Sequence, residues 1–115
     1  MTLEKIMQEL ELKLLTETLD LGQRTPTSGY ASDMLSRVMA HAPRDGALWV
    51  TLQSHANIVA VGAVLGLSGI IITEGELPEE ATIAKAVEMG VPLLATPRPT
   101  FHVVGQLWRL GLREG

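Results

Sequence analysis

Three short apolar segments of this chain each end on a threonine: Leu48-Trp49-Val50-Thr51, Ile70-Ile71-Ile72-Thr73 and Leu93-Leu94-Ala95-Thr96. The threonines stand 22 and then 23 residues apart, and each segment runs into a turn and a helix-like stretch. A strand, a short loop and a crossover helix occupy that length in a parallel α/β sheet. The repeat therefore predicts successive βα units, with Thr51, Thr73 and Thr96 at the carboxyl ends of parallel strands. In open α/β sheets, ligands bind beyond those ends.

The flanking residues predict the remaining elements. Leu3, Ile6, Met7 and Leu10 follow helical spacing behind Thr2, which predicts a capped opening helix. Leu12, Leu14 and Leu15 read as a first strand, and residues 19–28 as a loop punctuated by Gly22 and Pro26. Gly29-Tyr30-Ala31 is a short extended piece. It leads into a helix over 33–42 with Ser32 as N-cap and Asp33 favouring the positive end of its dipole. A helix over 56–65 is apolar nearly all round, which predicts burial against the sheet and against a further surface. Gly69 to Thr73 reads as a central parallel strand covered on both faces. Pro78 suits the first turn of the next helix, and Gly90 its C′ position. Thr100 is the expected cap of a last helix that carries Phe101, Val104, Leu107, Trp108 and Leu110.

At 115 residues the chain has the length of one domain, and its 46% apolar content is that of a globular core. Only 3% is aromatic, too little for a base-stacking platform, and a net charge of −4 offers no basic footprint for nucleic-acid phosphates. The absence of cysteine excludes disulfides, thiolate nucleophiles and zinc–thiolate centres. The longest apolar run falls short of the ~20 residues of a membrane helix. A cytoplasmic protein with neither nucleic acid nor membrane as partner is expected.

The chemistry-bearing residues concentrate after the first threonine. Thr51, Gln53, His55 and Asn57 alternate across a strand-to-helix junction, where free backbone N–H groups and the helix dipole suit a phosphate or carboxylate. Gln53 and Asn57 can hydrogen-bond a base or sugar, and His55 can face an anion. The alternative is structural: Ser54 or Asn57 caps the helix while Gln53 and His55 satisfy loop carbonyls. Arg98, held between Pro97 and Pro99, is the candidate for fixing an anion near Thr96 and Thr73. His41, His55 and His102 lack metal-ligand spacing, so no metal or cofactor is expected. Gly62 and Gly66 allow close helix approach to a sheet or a neighbouring subunit. No GxGxxG, Walker loop or nucleophile elbow is present, and the chain is not expected to be an enzyme.

Several segments together carry a resemblance: residues 23–30 (QRTPTSGY), 32–36 (SDMLS), 49–61 (WVTLQSHANIVAV), 70–75 (IIITEG) and 92–97 (PLLATP). They resemble the DRTGG domain over almost the whole chain, with Gln23 in place of the signature aspartate and Ser28 in place of the first paired glycine. The resemblance implies a three-layer α/β fold related to the amino-terminal domain of bacterial HPr kinase/phosphorylase. It also implies a regulatory module. DRTGG domains accompany CBS domains in some pyrophosphatases, where they contribute dimer contacts in an adenine-nucleotide-regulated assembly. Others occur in phosphotransacetylases or stand alone.

The expectation is thus one α/β domain with a mainly parallel sheet, a non-catalytic regulatory module acting as a homodimer, with a partner enzyme as a further expected partner. Its ligand would be a small anionic metabolite or a nucleotide at Thr51, Gln53, His55, Asn57, Thr73, Thr96 and Arg98. The signature loop, Arg24, Thr27, Ser28 and Gly29, would close over that site. The alternative is an interaction module without a ligand.

Overall fold

The threonine repeat resolves into strand–helix units in the computed structural model, which describes residues 1–115. Its elements are α1 (Leu3–Leu10), β1 (Lys13–Leu14), β2 (Ser28–Ala31), α2 (Leu35–His41), β3 (Ala47–Thr51), α3 (Asn57–Leu65), β4 (Gly69–Ile72), α4 (Glu80–Met89), β5 (Leu93–Ala95) and α5 (Thr100–Arg109). The sheet order is β1-β5-β4-β3-β2. β2 to β5 are parallel neighbours, and β1 closes the far edge antiparallel to β5.

Alternation of side chains divides the core into two. On one face Trp49, Ile70, Ile72 and Leu93 pack with residues of α2, α3 and α4. On the other, Leu48, Val50, Ile71 and Leu94 pack with Leu3, Ile6 and Leu10 of α1 and with Val103 and Leu107 of α5. The result is a three-layer α/β domain with three helices over one face and two over the other. No helix is long and apolar enough to cross a membrane.

The helices start and stop for local reasons. Thr2 Oγ1 accepts the Lys5 N–H at 3.2 Å, the expected cap of α1. Gly90 ends α4 in the left-handed region (φ 72°), which glycine enters without a Cβ clash. Gly62 resolves the close-approach pattern. A Cβ there would stand 2.8 Å from Val91 Cγ1 and 3.2 Å from Ile70 Cδ1, so the glycine seats α3 directly on the sheet and the start of β5.

Several expectations need correction. α2 begins at Leu35, because the Asp33 carboxylate bonds to β3 and its following loop and Ser32 Oγ accepts the Met34 N–H at 3.3 Å in a turn. Pro78 precedes α4 instead of opening it. Thr100 is the first helical residue of α5, not its cap, with Pro99 at the cap position. α3 hides Ile58, Val59, Val61 and Leu65 within its own domain and leaves Val64 as its one large exposed apolar side chain, so it does not demand a second surface. The apolar face expected of α5 is divided instead: Val103 and Leu107 are buried, while Phe101 and Trp108 face solvent.

Candidate functional site

Parallel pairing brings the three strand-end threonines to one rim. Thr51 pairs with Ile72, and Ile72 with Ala95, so Thr73 and Thr96 stand one residue beyond the level of Thr51. In a pleated strand one residue is one change of face. Thr51 therefore turns to the side of α2 and α3, whereas Thr73 and Thr96 turn to the side of α5. They share an edge, not a single crevice.

All three are buried, and their hydroxyls are engaged within the chain. Thr51 Oγ1 donates to Asp33 Oδ1 at 2.9 Å and accepts the Gln53 N–H at 3.1 Å. The same Asp33 oxygen accepts the Leu52 N–H at 2.9 Å, and Gln53 Nε2 donates to the Asp33 carbonyl at 3.0 Å. Thr73 Oγ1 lies 2.6 Å from Thr100 Oγ1 and 3.4 Å from the Thr51 carbonyl. Thr96 Oγ1 accepts the Arg98 N–H at 3.2 Å, the turn that Thr51 makes with Gln53. These bonds stiffen the ends of β3, β4 and β5.

Two of the backbone amides at this rim are held by carboxylates, Leu52 by Asp33 and Thr100 by Glu74. Glu74, in the left-handed region at φ 64°, places Oε2 2.8 Å from the Thr100 nitrogen and so supplies the negative charge at the start of α5. The chain continues through Glu74 N–H to the Arg98 carbonyl at 2.9 Å and Gly75 N–H to the Thr96 carbonyl at 3.1 Å. α4 and α5 cover opposite faces of the sheet, so the gap between β4 and β5 is the place where a crevice would open. Those two bonds stitch it together.

What remains at the rim is an exposed set. His55 Nδ1 accepts the Asn57 N–H at 3.1 Å, which fixes the proton of the neutral ring on Nε2, directed away from that bond. His55 thus terminates α3, the role the sequence offered to Ser54 or Asn57. The Asn57 carboxamide has no partner within the chain. Arg98 donates to His102 Nε2 at 3.0 Å, one turn apart at the start of α5. The loops carrying His55 and Arg98 leave strands two positions apart, about 10 Å across the sheet. Together they offer a donor at His55, both amide functions at Asn57 and a cation at Arg98, the groups that recognise an anion with a polar appendage.

The signature loop lies elsewhere. Ser28 pairs with Ala47 at the beginning of β2 and β3, and Thr27 N–H donates to the Gly46 carbonyl at 3.0 Å. Arg24 reaches the Gly90 carbonyl at 2.9 Å, ahead of β5. Arg24, Thr27, Ser28 and Gly29 therefore occupy the amino rim, and the expectation that they close over the threonines is corrected: a segment preceding a parallel strand emerges at the opposite edge. Ser28 Oγ is buried there without a hydrogen-bond partner. Gly29 N–H donates to the Arg113 carbonyl at 2.9 Å, binding the carboxyl-terminal residues to the edge of β2.

Sequence reasoning missed Asp33, Glu74 and His102. Asp33 and Glu74 act on residues 18 to 26 positions away, which no local pattern reveals. The spacing of Arg98 and His102, four residues across a helix start, was a readable signal.

No protein-family model matches the chain, and no curated protein matches it. Among solved structures, it is similar to the regulatory region of Clostridium perfringens pyrophosphatase, a structure of CBS and DRTGG domains complexed with the activator diadenosine tetraphosphate. The TM-score is 0.69 at 19% identity, over 90% of this chain and 44% of that one. This chain thus spans less than half of that regulatory region. The fold is DRTGG-like.

Proposed function

We propose that this chain is a non-catalytic regulatory module that self-associates and reads the level of a small anionic metabolite, an adenine nucleotide foremost, on behalf of a partner enzyme. The observation that carries the proposal is the exposed set at the carboxyl rim: His55, Asn57 and Arg98 stand on a platform whose threonines are tied internally. Likeness to a pyrophosphatase regulatory region solved with a dinucleotide activator supports the choice of ligand class. In this reading Thr51, Thr73 and Thr96 hold the rim rigid, Gln53 anchors its loop to Asp33, and the ligand meets His55, Asn57 and Arg98. A cytoplasmic setting accompanies the proposal.

A thermal-shift series tests it. At 100 times its Kd a ligand adds about 2.7 kcal/mol to the folded state, on the order of a 10 °C rise for a domain of this size. ATP, ADP, AMP, diadenosine tetraphosphate and inorganic phosphate are the probes. A rise that His55→Ala, Asn57→Ala and Arg98→Ala each diminish supports the reading.

The second reading is an interaction module with no ligand. It is favoured by the internal stitching of the rim and by the apolar side chains that α5 exposes. Unmoved melting curves with every probe would decide for it.

A further inference from the structure

Residues 112–115 cross the outer edge of β2 and touch it on both faces. Just beyond α5, Gly111 adopts the left-handed region at φ 100°, and the Gly111 and Leu112 amides return to the carbonyls of Trp108 and Leu107 at 3.0 Å each. That pair of bonds turns the chain back toward the sheet. Leu112 then lies over Gly29 on the α5 face, where a Cβ on the glycine would stand 3.3 Å from Leu112 Cδ2. At the edge itself the Arg113 carbonyl accepts the Gly29 N–H at 2.9 Å. Gly115 reaches the opposite face, where a Cβ on it would stand 2.7 Å from Pro43 Cγ and 3.3 Å from Ser28 Cβ.

We infer that residues 112–115 are a strap hinged at Gly111, which opens and closes over the edge of β2 while the rest of the fold stays intact. The inference is independent of any ligand at the carboxyl rim and of self-association. Opening is cheap for two reasons. Leu112 is half-buried, and Arg113, Glu114 and Gly115 are exposed. The segment also runs between two cavities, of about 280 and 220 Å³, which share Leu107, Leu112 and Arg113 as walls. A segment flanked by voids has few apolar contacts to lose. Closing, moreover, carries a cost: Ser28 Oγ is buried without a hydrogen-bond partner where Gly115 lies against Ser28 and Pro43. Lifting the strap returns that hydroxyl to water and removes the penalty. Against opening stand the Gly29 bond and the Arg113 guanidinium, which stacks over the Trp108 ring at 4.0 Å and donates to the Trp108 carbonyl at 2.7 Å. What the strap controls follows from the topology. β2 is the last strand of the sheet, and the Ser32 N–H points inward to the Val50 carbonyl, so by alternation the amides of Gly29 and Ala31 turn outward. Closed, the strap covers the first of these donors; open, it leaves both on a bare edge, the kind of edge on which extended chains pair.

The test is amide exchange in the isotopically labelled full chain, followed residue by residue by NMR at low urea concentrations. The Gly29 amide is expected to exchange through a local opening, far faster than Ile71 at the centre of the sheet and at a rate insensitive to urea. Thr27 and Ser32 flank the same strand, with amides bonded inward to the carbonyls of Gly46 and Val50, and they report fraying of β2 as a whole. Arg113→Ala is expected to speed Gly29 exchange about fivefold while leaving Thr27 and Ser32 unchanged. Ser28→Ala is expected to slow it about fivefold, because the closed state no longer hides an unpaired hydroxyl. A second readout uses Ser28→Cys in this cysteine-free chain. Its thiol reacts with an aromatic disulfide reagent in the folded protein, and adding Arg113→Ala accelerates the reaction. Gly29 exchange in step with Ile71, or in step with Thr27 and Ser32 in every variant, overturns the inference. So does a Gly29 rate that Ser28→Ala leaves unchanged or raises, or a thiol that reacts only on global unfolding.

Discussion

The hydroxyls of Thr73 and Thr100 stand 2.6 Å apart, joining the end of β4 to the first residue of α5. Through that contact the central strand sets the position of the helix that carries both Arg98's partner His102 and the exposed Phe101. Glu74 reinforces it from the next residue by holding the Thr100 amide. The rim and the outer flank of α5 are therefore parts of one rigid unit.

Replacing Thr73 by valine keeps the shape and removes the bond. Because Thr73 is fully buried, the loss is expected to cost about 1–2 kcal/mol. Urea denaturation checks this, with the cost appearing as a lower midpoint at unchanged m-value. A cost confined to a few tenths would mean that the hydroxyl pair contributes nothing to fixing α5.

Thr51 and Asp33 form the matching tie on the other face. Thr51→Val and Asp33→Ala are expected to be strongly non-additive, since each removes the bond from the Thr51 hydroxyl to Asp33 Oδ1. A double-mutant cycle by chemical denaturation measures the coupling, expected at about 0.5–3 kcal/mol for groups in one hydrogen-bond network. Additive losses would show that Asp33 acts only through the Leu52 amide.

Gly62→Ala sets helix propensity against packing. Alanine gains about 1 kcal/mol in a helix, yet its methyl would press on Val91 at 2.8 Å. Overpacking typically costs about 1–3 kcal/mol, so net destabilisation is expected, relieved when Val91→Ala is added. Thermal unfolding of the three variants distinguishes a clash from a simple loss of flexibility.

Amide exchange should be slowest in β4. Gly69 to Ile72 are all buried, flanked by paired strands on both sides and helices on both faces. Their amides are expected to open only with global unfolding, while the edge pair Lys13–Leu14 exchanges by local fraying. Hydrogen-exchange mass spectrometry reads the difference.

Much of this was legible beforehand. The strand–threonine period specified β3, β4 and β5, and unbroken Ile70-Ile71-Ile72 specified the centre of the sheet, because only a strand covered on both faces tolerates that composition. Thr2 and Gly90 announced a helix start and a helix end. The register was not legible: Thr51 and Thr73 are 22 residues apart, yet Thr51 pairs with Ile72, and that single step sends the hydroxyls to opposite faces. Nor could the sequence show that Asp33 and Glu74 take up the Leu52 and Thr100 amides, since both reach across the fold. The placement of Arg24 to Gly29 at the amino rim follows from their preceding β2, a topological consequence that the motif itself obscures.

His55→Ala should lower stability by less than about 1 kcal/mol, the worth of one helix-terminating acceptor, while abolishing any nucleotide-dependent shift. Loss of the shift without loss of fold separates a ligand contact from a structural one.

The most direct measurement is an amide chemical-shift titration of the isotopically labelled chain with ATP, AMP and diadenosine tetraphosphate. The account predicts saturable perturbations confined to Leu52–Asn57 and to Arg98–His102. Perturbations centred on Arg24–Gly29, or none with any of the three nucleotides, would contradict it.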